Sequence, residues 1–444
     1  MKTPLYDFIK NYAEKKSVRM HMPGHKGKGE LNVEGFDITE IDGADSLYHS
    51  DGIIEQSRKN ASLLFGCPTF YSTEGSSHCI RSMLYLSSQK ARMEGKTPYV
   101  LAGRNVHKSF ISGIAINGID CDFIYPEKES NYISCPITAK DVERSITKSK
   151  KPVTAVYITT PDYLGNVLDV KSIAKVCIEQ GVTLMVDNAH GAYLKFLTPS
   201  KHPIDLGADM CCDSAHKTLG GLTGSAYLHV KEGFGIDDKG IKNAMSLFGS
   251  SSPSYLTLAS LDLINKELFE GYNKKLKTKI EEIELLKSAL EKNGYSLYGN
   301  EEIKITLNAK EYGYYGQEIA KILLENNVYP EFYDKDFVVL MASVNTDGVE
   351  IEKLKEVLLS IKRLNRIEQT PPKLMVAKRV KDIKEAVFAS QKRVNLQQAI
   401  GKTAGLVNAY CPPAIPIVVS GEQIDLHAID CLKYYNIEEI EIID

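Results

Sequence analysis

The sequence lacks a surplus of charge of either sign. Its 54 lysine and arginine residues are balanced by 57 aspartate and glutamate residues, which leaves a formal net charge of −3. A chain with this balance has no general basic surface for holding nucleic acid or an acidic membrane. We therefore expect no nucleic-acid partner, and a small-molecule ligand is favoured instead.

Long apolar runs are missing as well. No stretch approaches the roughly 20 uninterrupted apolar residues that span a bilayer. The N-terminal residues MKTPLYDFIKNYAEKK lack the apolar core of a signal peptide. We therefore expect no membrane contact and a cytoplasmic location.

Cysteine pairs of the CxxC type are also absent, although the chain has 9 cysteines. Scattered cysteines in odd number predict small buried side chains rather than a zinc or redox motif. His21 and His25 cannot share a helical face as paired metal ligands, because Pro23 and Gly24 lie between them. No metal site is therefore expected.

The sequence does contain an alternation of short apolar runs with helical patterns. The runs TPYVLAG, VTAVYITT, VTLMVD, ADMCCD and SAYLHV indicate strands, and segments such as DVKSIAKVCIEQG between them indicate helices. This alternation predicts an α/β fold with a largely parallel sheet covered by helices. With 444 residues, 43% of them hydrophobic, the chain has room for about three domains.

Domain boundaries are predicted from changes in this pattern. Residues 273–294 predict a long connecting helix, a βαβ-like stretch follows it, and KDIKEAVFASQKR at 381–393 predicts a further helix. The expected segments are an N-terminal helix and entrance loop at 1–60, a large α/β domain at 61–270, a small α/β domain at 271–370 and a C-terminal domain at 371–444.

Three of the apolar runs end in titratable side chains. Asp162 follows the second run, Asp187 and His190 come at the end of the third, and the fourth leads into Asp213, Ser214, His216 and Lys217. In an open parallel sheet the ligand crevice lies beyond the carboxyl ends of the strands. Each residue alone has an ordinary explanation, such as a helix cap or a solvated charge. Three such ends at one edge favour a binding site.

A fourth segment predicts an anion site. Gly75, Ser76 and Ser77 precede an apolar-periodic run, so a glycine turn opens a helix whose N–H groups and dipole favour phosphate. The spacing matches neither the Walker pattern nor GxGxxG, which argues against ATP or NAD. A phosphate cradle, the carboxylate of Asp187 and the amine of Lys217 are the parts that hold pyridoxal phosphate. Its aldehyde takes up a lysine amine, and its ring nitrogen needs a carboxylate partner.

Motifs along nearly the whole chain point in the same direction. They are HMPGHKG at 21–27, STEGSS at 72–77, NVHKS at 105–109, TTPDYLGNVLD at 159–169, VDNAHGAY at 186–193, DSAHKTLGGLTGSA at 213–226, SSPSYLTLASLD at 251–262 and YCPPAIPIVVSGE at 410–422. The combination resembles the fold type I, pyridoxal-phosphate-dependent ornithine/lysine/arginine decarboxylases. The Asp-x-Ala-His-Gly and Ser-x-His-Lys-Thr pieces carry most of this resemblance.

The resemblance implies a role for each site residue. Lys217 corresponds to the lysine that joins the cofactor aldehyde, Asp187 to the partner of the ring nitrogen, and His107 to the catalytic residue stacked on the ring. Ala189 would pack on the opposite face of the ring, and His190 would organise the pocket. The implied phosphate ligands are Gly75, Ser76, Ser77, Ser214 and His216.

Architecture and assembly are implied as well. The large domain would have the type I fold of pyridoxal-phosphate-dependent transferases, with smaller α+β domains towards the C-terminus. The active site would lie at a homodimer interface, where the segment 252–255, beginning with Ser252, reaches the cofactor of the partner. The chain resembles a short form without the N-terminal flavodoxin-like domain of larger members, so a homodimer or a dimer-based tetramer is expected.

The reaction implied is decarboxylation of a basic amino acid to CO2 and an amine of polyamine metabolism, with arginine or lysine favoured and ornithine possible. Two alternatives stay open. An aminotransferase or carbon–sulfur lyase would clamp the substrate carboxylate with an arginine such as Arg363 or Arg366. A non-catalytic homologue would retain the cofactor without turnover.

Three side chains are candidate substrate contacts. Glu74 stands where the family usually has an amide, and it is expected to face the substrate's distal cation or to pair with Arg81. His25 lies in a loop rich in Gly, His and Lys near the expected substrate entrance, and Glu331 lies in VYPEFYD. Leu406 stands where larger members have an acidic residue.

Overall fold

The computed structural model describes residues 1–406 and 413–443. The chain forms two compact units, each assembled from two stretches: residues 1–97 with 183–276, and residues 98–182 with 277–444. We refer to these as the first and the second unit. Tyr410, Cys411 and Pro412 of the motif YCPPAIPIVVSGE lie outside the described residues.

The described residues form fourteen strands and sixteen α-helices. The strands are β1 Thr69–Ser72, β2 Tyr99–Gly103, β3 Asp120–Ile124, β4 Ala155–Thr159, β5 Thr183–Asp187, β6 Met210–Asp213, β7 Ala226–Val230, β8 Leu297–Tyr298, β9 Lys304–Asn308, β10 Phe332–Tyr333, β11 Phe337–Met341, β12 Gln391–Asn395, β13 Thr403–Ala404 and β14 Glu439–Ile443.

The helices are α1 Pro4–Glu14, α2 Ile53–Phe65, α3 Gly75–Met93, α4 Lys108–Asn117, α5 Ala139–Lys148, α6 Val170–Glu179, α7 Ala215–Thr218, α8 Asp238–Ser246, α9 Tyr255–Phe269, α10 Tyr272–Lys292, α11 Ala309–Tyr312, α12 Gly316–Glu325, α13 Gly348–Ser360, α14 Ile383–Phe388, α15 Leu396–Ala399 and α16 Leu426–Tyr434. Two short 3-10 helices lie at Leu47–His49 and Ala192–Phe196. Within the described part of the chain, no helix combines the length and apolar composition that crossing a bilayer requires.

In the first unit the strands lie in the order β5-β6-β7-β1. β5 runs parallel to β6, whereas β7 runs antiparallel to both β6 and β1. The register places Asp187 of β5 opposite Cys212 of β6, and α3 packs against β5, β6 and β7. Because β5 and β6 are parallel neighbours, their carboxyl ends meet at the same edge of the sheet.

In the second unit the strands lie in the order β4-β2-β3, and all of them are parallel. α5 packs against β3 and α6. The five apolar runs of the sequence form β2, β4, β5, β6 and β7, whose residues are almost all buried. Burial of both faces explains why these runs lack alternating polar residues. The predicted α/β fold with a mostly parallel sheet is confirmed.

The predicted long helix is present as α10, but the βαβ-like interpretation of the stretch after it was wrong. β8 to β11 form an antiparallel sheet in the order β10-β11-β9-β8. Between β10 and β11 the chain turns tightly at Asp334, whose carboxylate accepts the N–H groups of Asp336 and Phe337 at 2.7 Å. This turn reverses the chain and places β11 antiparallel to β9, a local event that apolar periodicity does not reveal.

The predicted helix at 381–393 is only partly present. α14 covers its first half, whereas the second half belongs to β12, which pairs antiparallel with β14 in a sheet of order β12-β14-β13. Val394 lies opposite Ile440 in this pairing, and both are buried in one apolar cluster. Arg393 and Glu441 form an ion pair at 2.9 Å. Pairing with the distant C-terminal strand therefore overrides the local helical pattern.

Candidate active site

Lys217 lies just beyond the end of β6, on the single turn of α7. Its Nζ is 2.8 Å from Nε2 of His190, which follows β5. The lysine side chain is partly buried, and His190 is only 5% exposed. Two ionisable nitrogens at hydrogen-bonding distance can exchange a proton, so this contact suits an amine that must alternate between charged and neutral forms.

Asp187 is the last residue of β5 and is 3% exposed. Its Oδ1 accepts the backbone N–H of Ala189 at 3.2 Å and the thiol of Cys212 at 3.7 Å. Burial, together with the neighbouring carboxylate of Asp187, raises the pKa of Cys212 well above its ordinary value, so the sulfur keeps its proton and donates it. A buried carboxylate with neutral donors around it is suited to hold a cationic ring nitrogen.

Two other carboxylates at strand ends accept hydrogen bonds from neighbouring side chains. Asp213 accepts the side-chain amide of Asn188 at 2.6 Å and also contacts two histidines. Asp162, in the second unit, accepts the hydroxyl of Ser134 at 2.7 Å and the amide of Asn166 at 2.8 Å. The sequence placed both carboxylates at strand ends, and these contacts account for both without a part in holding the cofactor.

The expected phosphate cradle is the beginning of α3. The helix starts at Gly75, whose φ of +73° is a left-handed conformation that side chains other than glycine rarely adopt. Among the described residues, and apart from the chain neighbours of Gly75 and the backbone of its own helix, no atom lies within 4 Å of the position where a Cβ of Gly75 would stand. Ser76 and Ser77 follow in the first turn, where backbone N–H groups have no partner inside the helix. This arrangement provides both the space and the donors that a phosphate needs.

Ser214 and His216 lie on the segment that links β6 to Lys217. Within the described residues, the buried Oγ of Ser214 has no hydrogen-bond partner. His216 contacts the carbonyl of Ser225 through Nδ1 at 2.9 Å, which orients its ring. A buried hydroxyl without a partner costs about 1–3 kcal/mol, so the side chain of Ser214 fits the role of a phosphate donor.

We expect Ser214→Ala to weaken the affinity for pyridoxal phosphate about tenfold, since a hydrogen bond to a charged group is lost. The same change should leave the cofactor-free protein as stable as before or slightly more stable, because the unsatisfied hydroxyl disappears. Titration of the apoprotein and thermal unfolding measure the two effects. Ser82→Ala is the control, since Ser82 is buried in α3 and already donates to the carbonyl of His78 at 3.0 Å. Equal cofactor affinity in both variants would contradict the assignment.

Glu74 forms a hydrogen bond to the loop around Ser250, in the same unit. Its side chain is exposed, and Oε1 accepts the backbone N–H of Ser250 at 2.6 Å. The hydroxyl of Ser250 in turn accepts the N–H of Ser252, an exposed residue, at 3.1 Å. Glu74 therefore holds the loop in which Ser252 lies, a contact that the sequence did not indicate.

His25 is engaged within the N-terminal loop. Its Nε2 lies 3.1 Å from Oδ2 of Asp37, and its Nδ1 accepts the N–H of Gly27 at 3.0 Å. Its role as a substrate contact stays a prediction.

His107 and Glu331 belong to the second unit. His107 is the N-cap of α4, and its Nδ1 accepts the N–H of Ser109 at 3.1 Å. Glu331 is exposed and accepts the hydroxyl of Tyr163 at 2.6 Å. The stacking role of His107 and the substrate role of Glu331 stay predictions.

Leu406 is half exposed and lines a cavity of about 250 Å³ in the second unit. The carboxyl group of Asp334 also lines it, and burial together with the nearby Asp336 raises the pKa of Asp334 to about 7. None of the residues that line this cavity has been assigned to the cofactor.

Comparison with known proteins identifies the family. Residues 3–308 match the family described as Orn/Lys/Arg decarboxylase, major domain. The arginine decarboxylase of Halalkalibacterium halodurans is 28% identical over 454 residues, covering 95% of this chain and 91% of that protein. The arginine decarboxylase of Bacillus subtilis is 32% identical over 279 residues, covering 60% of this chain and 55% of that protein.

The fold agrees with this match. The crystal structure of the Francisella novicida lysine decarboxylase superimposes with a TM-score of 0.81 at 17% identity, covering 100% of this chain and 81% of that one. The resemblance drawn from the sequence motifs and the expected cofactor are both confirmed. The chain belongs to the Orn/Lys/Arg decarboxylase family of pyridoxal-phosphate-dependent enzymes with the type I fold.

Proposed function

We propose that this chain decarboxylates arginine, with lysine and ornithine as weaker substrates, to CO2 and the corresponding amine of polyamine metabolism. The observation that carries the proposal is the contact of Lys217 Nζ with His190 Nε2 at 2.8 Å, in the same unit as the buried carboxylate of Asp187. The arginine decarboxylase of Halalkalibacterium halodurans, aligned over 95% of this chain, supports arginine as the first substrate to test.

The residues of the first unit supply the binding and proton-transfer groups. Lys217 and Asp187 would hold the aldehyde and the ring nitrogen of the cofactor, and Ser214 with the first turn of α3 would hold its phosphate. When bound, pyridoxal phosphate supplies an aldehyde for the lysine amine and a ring that accepts the electrons of the breaking bond. These residues fit the cofactor because the site offers an unsatisfied buried hydroxyl and an open glycine turn.

Proton movement is assigned to Lys217 and His190. The imidazole accepts a proton from Nζ, which leaves the amine neutral and nucleophilic. After CO2 has left, the imidazole would return the proton to Nζ, from which it would pass to the substrate Cα. Asp187 would hold the ring nitrogen with an ionised carboxylate, to which its neighbours Ala189 and Cys212 donate hydrogen bonds.

Incubation of the purified, cofactor-loaded protein with each basic amino acid tests this function. We expect agmatine from arginine to exceed cadaverine from lysine and putrescine from ornithine, with one CO2 released per amine. A keto acid in place of CO2 would indicate an aminotransferase. The absence of turnover with all three substrates would favour a non-catalytic homologue.

The aminotransferase alternative receives little support from its candidate arginines. Arg363 and Arg366 are exposed, and Arg366 pairs with Glu311 at 3.2 Å. Both follow α13, which ends at Ser360. Side chains already paired in solvent are poor clamps for a substrate carboxylate.

Glu74 is the proposed contact for the distal cation of the substrate, with His25 and Glu331 as further candidates. We expect Glu74→Gln to raise KM for arginine about tenfold without changing kcat or cofactor affinity, since one ion pair is lost. The amide can still accept the N–H of Ser250, so the loop is retained. Glu94→Gln, at the opposite end of α3, is the control because Glu94 pairs only locally with Lys96 at 2.8 Å. An unchanged KM would assign Glu74 to loop support alone.

Assembly and location complete the proposal. A homodimer, or a dimer-based tetramer, would bring the segment 252–255, in which Ser252 and Ser254 are exposed, to the active site of the partner, and light scattering measures its mass. The eight described cysteines are buried thiols without disulfide bonds, which supports a cytoplasmic location.

Separate apolar clusters within residues 283–361 and 394–442 support the proposed small domain at 271–370 and C-terminal domain at 371–444.

A further inference from the structure

We propose that the first unit binds one divalent metal ion with the ligand preference of zinc. The ligands are four fully buried side chains: His202, Cys211, Asp213 and His229. None of them has been assigned to the cofactor or the substrate. We refer to these four residues as the buried cluster.

Strand geometry brings three of the ligands to one face of the sheet. Cys211 and Asp213 are two residues apart on β6, so their side chains point to the same side. His229 of β7 lies directly opposite Cys211 in the antiparallel register and points to that side too. His202 is contributed by the segment that leads into β6. The cluster therefore follows from a strand pairing and one adjoining loop.

The spacing of the ligand atoms suits tetrahedral coordination. All four atoms lie within 4.8 Å of one another. Nε2 of His202 and Nε2 of His229 are each 3.1 Å from Oδ2 of Asp213, and Sγ of Cys211 is 3.8 Å from Nε2 of His202. In a tetrahedral zinc site, N and O ligands lie about 3.3 Å apart, and N and S ligands about 3.6 Å apart. These three distances are close to the tetrahedral values, and the other pairs of ligand atoms, which lie within 4.8 Å of one another, would close further around an ion.

The atoms behind Asp213 and His229 are arranged as they are in metal sites, whereas Nδ1 of His202 has no hydrogen-bond partner among the described residues. Oδ1 of Asp213 accepts the amide of Asn188 at 2.6 Å, and Nδ1 of His229 lies 2.9 Å from the hydroxyl of Thr69. That hydroxyl can donate to the carbonyl of Cys67 at 3.1 Å. When the hydroxyl donates to that carbonyl, Nδ1 of His229 would carry the ring proton, and its Nε2 would present a lone pair towards the carboxylate of Asp213. The lone pairs of Nε2 and of the carboxylate oxygen would repel each other, and a cation between them removes this repulsion. Hydrogen bonds such as those of Asn188 and Thr69 orient the ligands in metal sites generally.

Charge balance favours the same ion. The buried carboxylate of Asp213 carries a negative charge that is costly in a dry interior unless it is paired. A divalent cation would pair with this carboxylate and with the thiolate of Cys211, whose thiol proton would be released to solvent on binding. Because all four positions are protein ligands, the site is closed and structural rather than catalytic. It would tie β6 and β7 to the preceding loop, next to the strand end that leads to Lys217.

The test uses the full chain, loaded with pyridoxal phosphate and produced with added zinc. After dialysis against metal-free buffer, elemental analysis should find about one zinc per chain. Replacement of zinc by cobalt should give the visible absorption of a thiolate-bound ion. We expect Cys211→Ser to lose most of the zinc and to lower Tm. Cys121→Ser, the same change at a buried thiol of β3, should retain the metal.

Removal of the metal from the unaltered protein keeps the test decisive if the variant fails to fold. A strong chelator should lower Tm, and added zinc should restore it. Less than about a tenth of a zinc per chain after reconstitution, no cobalt absorption and a Tm insensitive to chelator would overturn the proposal. The cluster would then be a metal-free network of hydrogen bonds between Asp213 and its two histidines.

Discussion

Replacement of Lys217 by alanine is expected to lower kcat for decarboxylation by on the order of 10⁴-fold. The variant loses both the amine that takes up the cofactor aldehyde and the proton that Nζ exchanges with His190 across 2.8 Å. Its absorption should show the cofactor only as an unattached aldehyde. Borohydride treatment of the unaltered protein should link the cofactor to position 217, and treatment of the variant should link it nowhere. Visible spectra, peptide mapping and CO2 release measure these results.

The control for this experiment is Lys231→Ala. Lys231 follows β7 in the same unit, is partly exposed and pairs loosely with Asp209 at 3.8 Å. Its loss should change kcat by less than about twofold, as is usual for an exposed ion pair. Retention of more than about a tenth of kcat by Lys217→Ala, far above the loss expected of a catalytic nucleophile, would show that another amine serves the cofactor.

Replacement of Asp187 by asparagine is expected to lower kcat by on the order of 10³-fold. The amide has the same shape and can still accept the N–H of Ala189, but it carries no charge to keep a proton on the ring nitrogen. The stability of the apoprotein should stay the same or rise, because a buried charge has been removed. Steady-state kinetics and thermal unfolding of the apoprotein separate the chemical effect from the structural one.

Asp209→Asn is the matched control for Asp187→Asn. The carboxylate of Asp209 accepts the N–H of Leu184 at 2.8 Å, near the opposite end of β5. Both variants thus keep a backbone contact of the same strand and lose one negative charge. Asp209→Asn should leave kcat within about twofold of the original, as is usual for substitutions away from a functional site. Similar kcat values in the two variants would refute the assigned role of Asp187.

Much of the fold could be predicted from local patterns. The five apolar runs became strands because continuous Val, Ile, Leu and Tyr residues suit strands that are buried on both faces. The long helix α10 followed from periodic Ile and Leu on a charged background. Of the two errors, the one at β8 to β11 arose from the tight turn at Asp334, and the one at β12 arose from its pairing with β14, which lies far away along the chain. Local periodicity does not report such pairings.

In the candidate site, too, some residues could be predicted from local patterns and some contacts could not. Lys217, Asp187 and the glycine turn at Gly75 were found because strand ends and helix starts have recognisable local patterns. The contact of Cys212 with Asp187 and that of Asn188 with Asp213 were missed, since each joins residues 25 positions apart. The register of β5 and β6 was the signal that would have shown them.

The buried cluster is the clearest example of what folding adds. A chain without CxxC pairs indicated no metal site, yet pairing of β6 with β7 collects Cys211, Asp213 and His229 on one face. The type of most elements, the cofactor chemistry and the lysine that serves it are properties of short segments, because periodicity and turn residues act over a few positions. Which donor meets which carboxylate depends on strand register and loop placement, because hydrogen bonding between strands joins residues that the chain keeps apart.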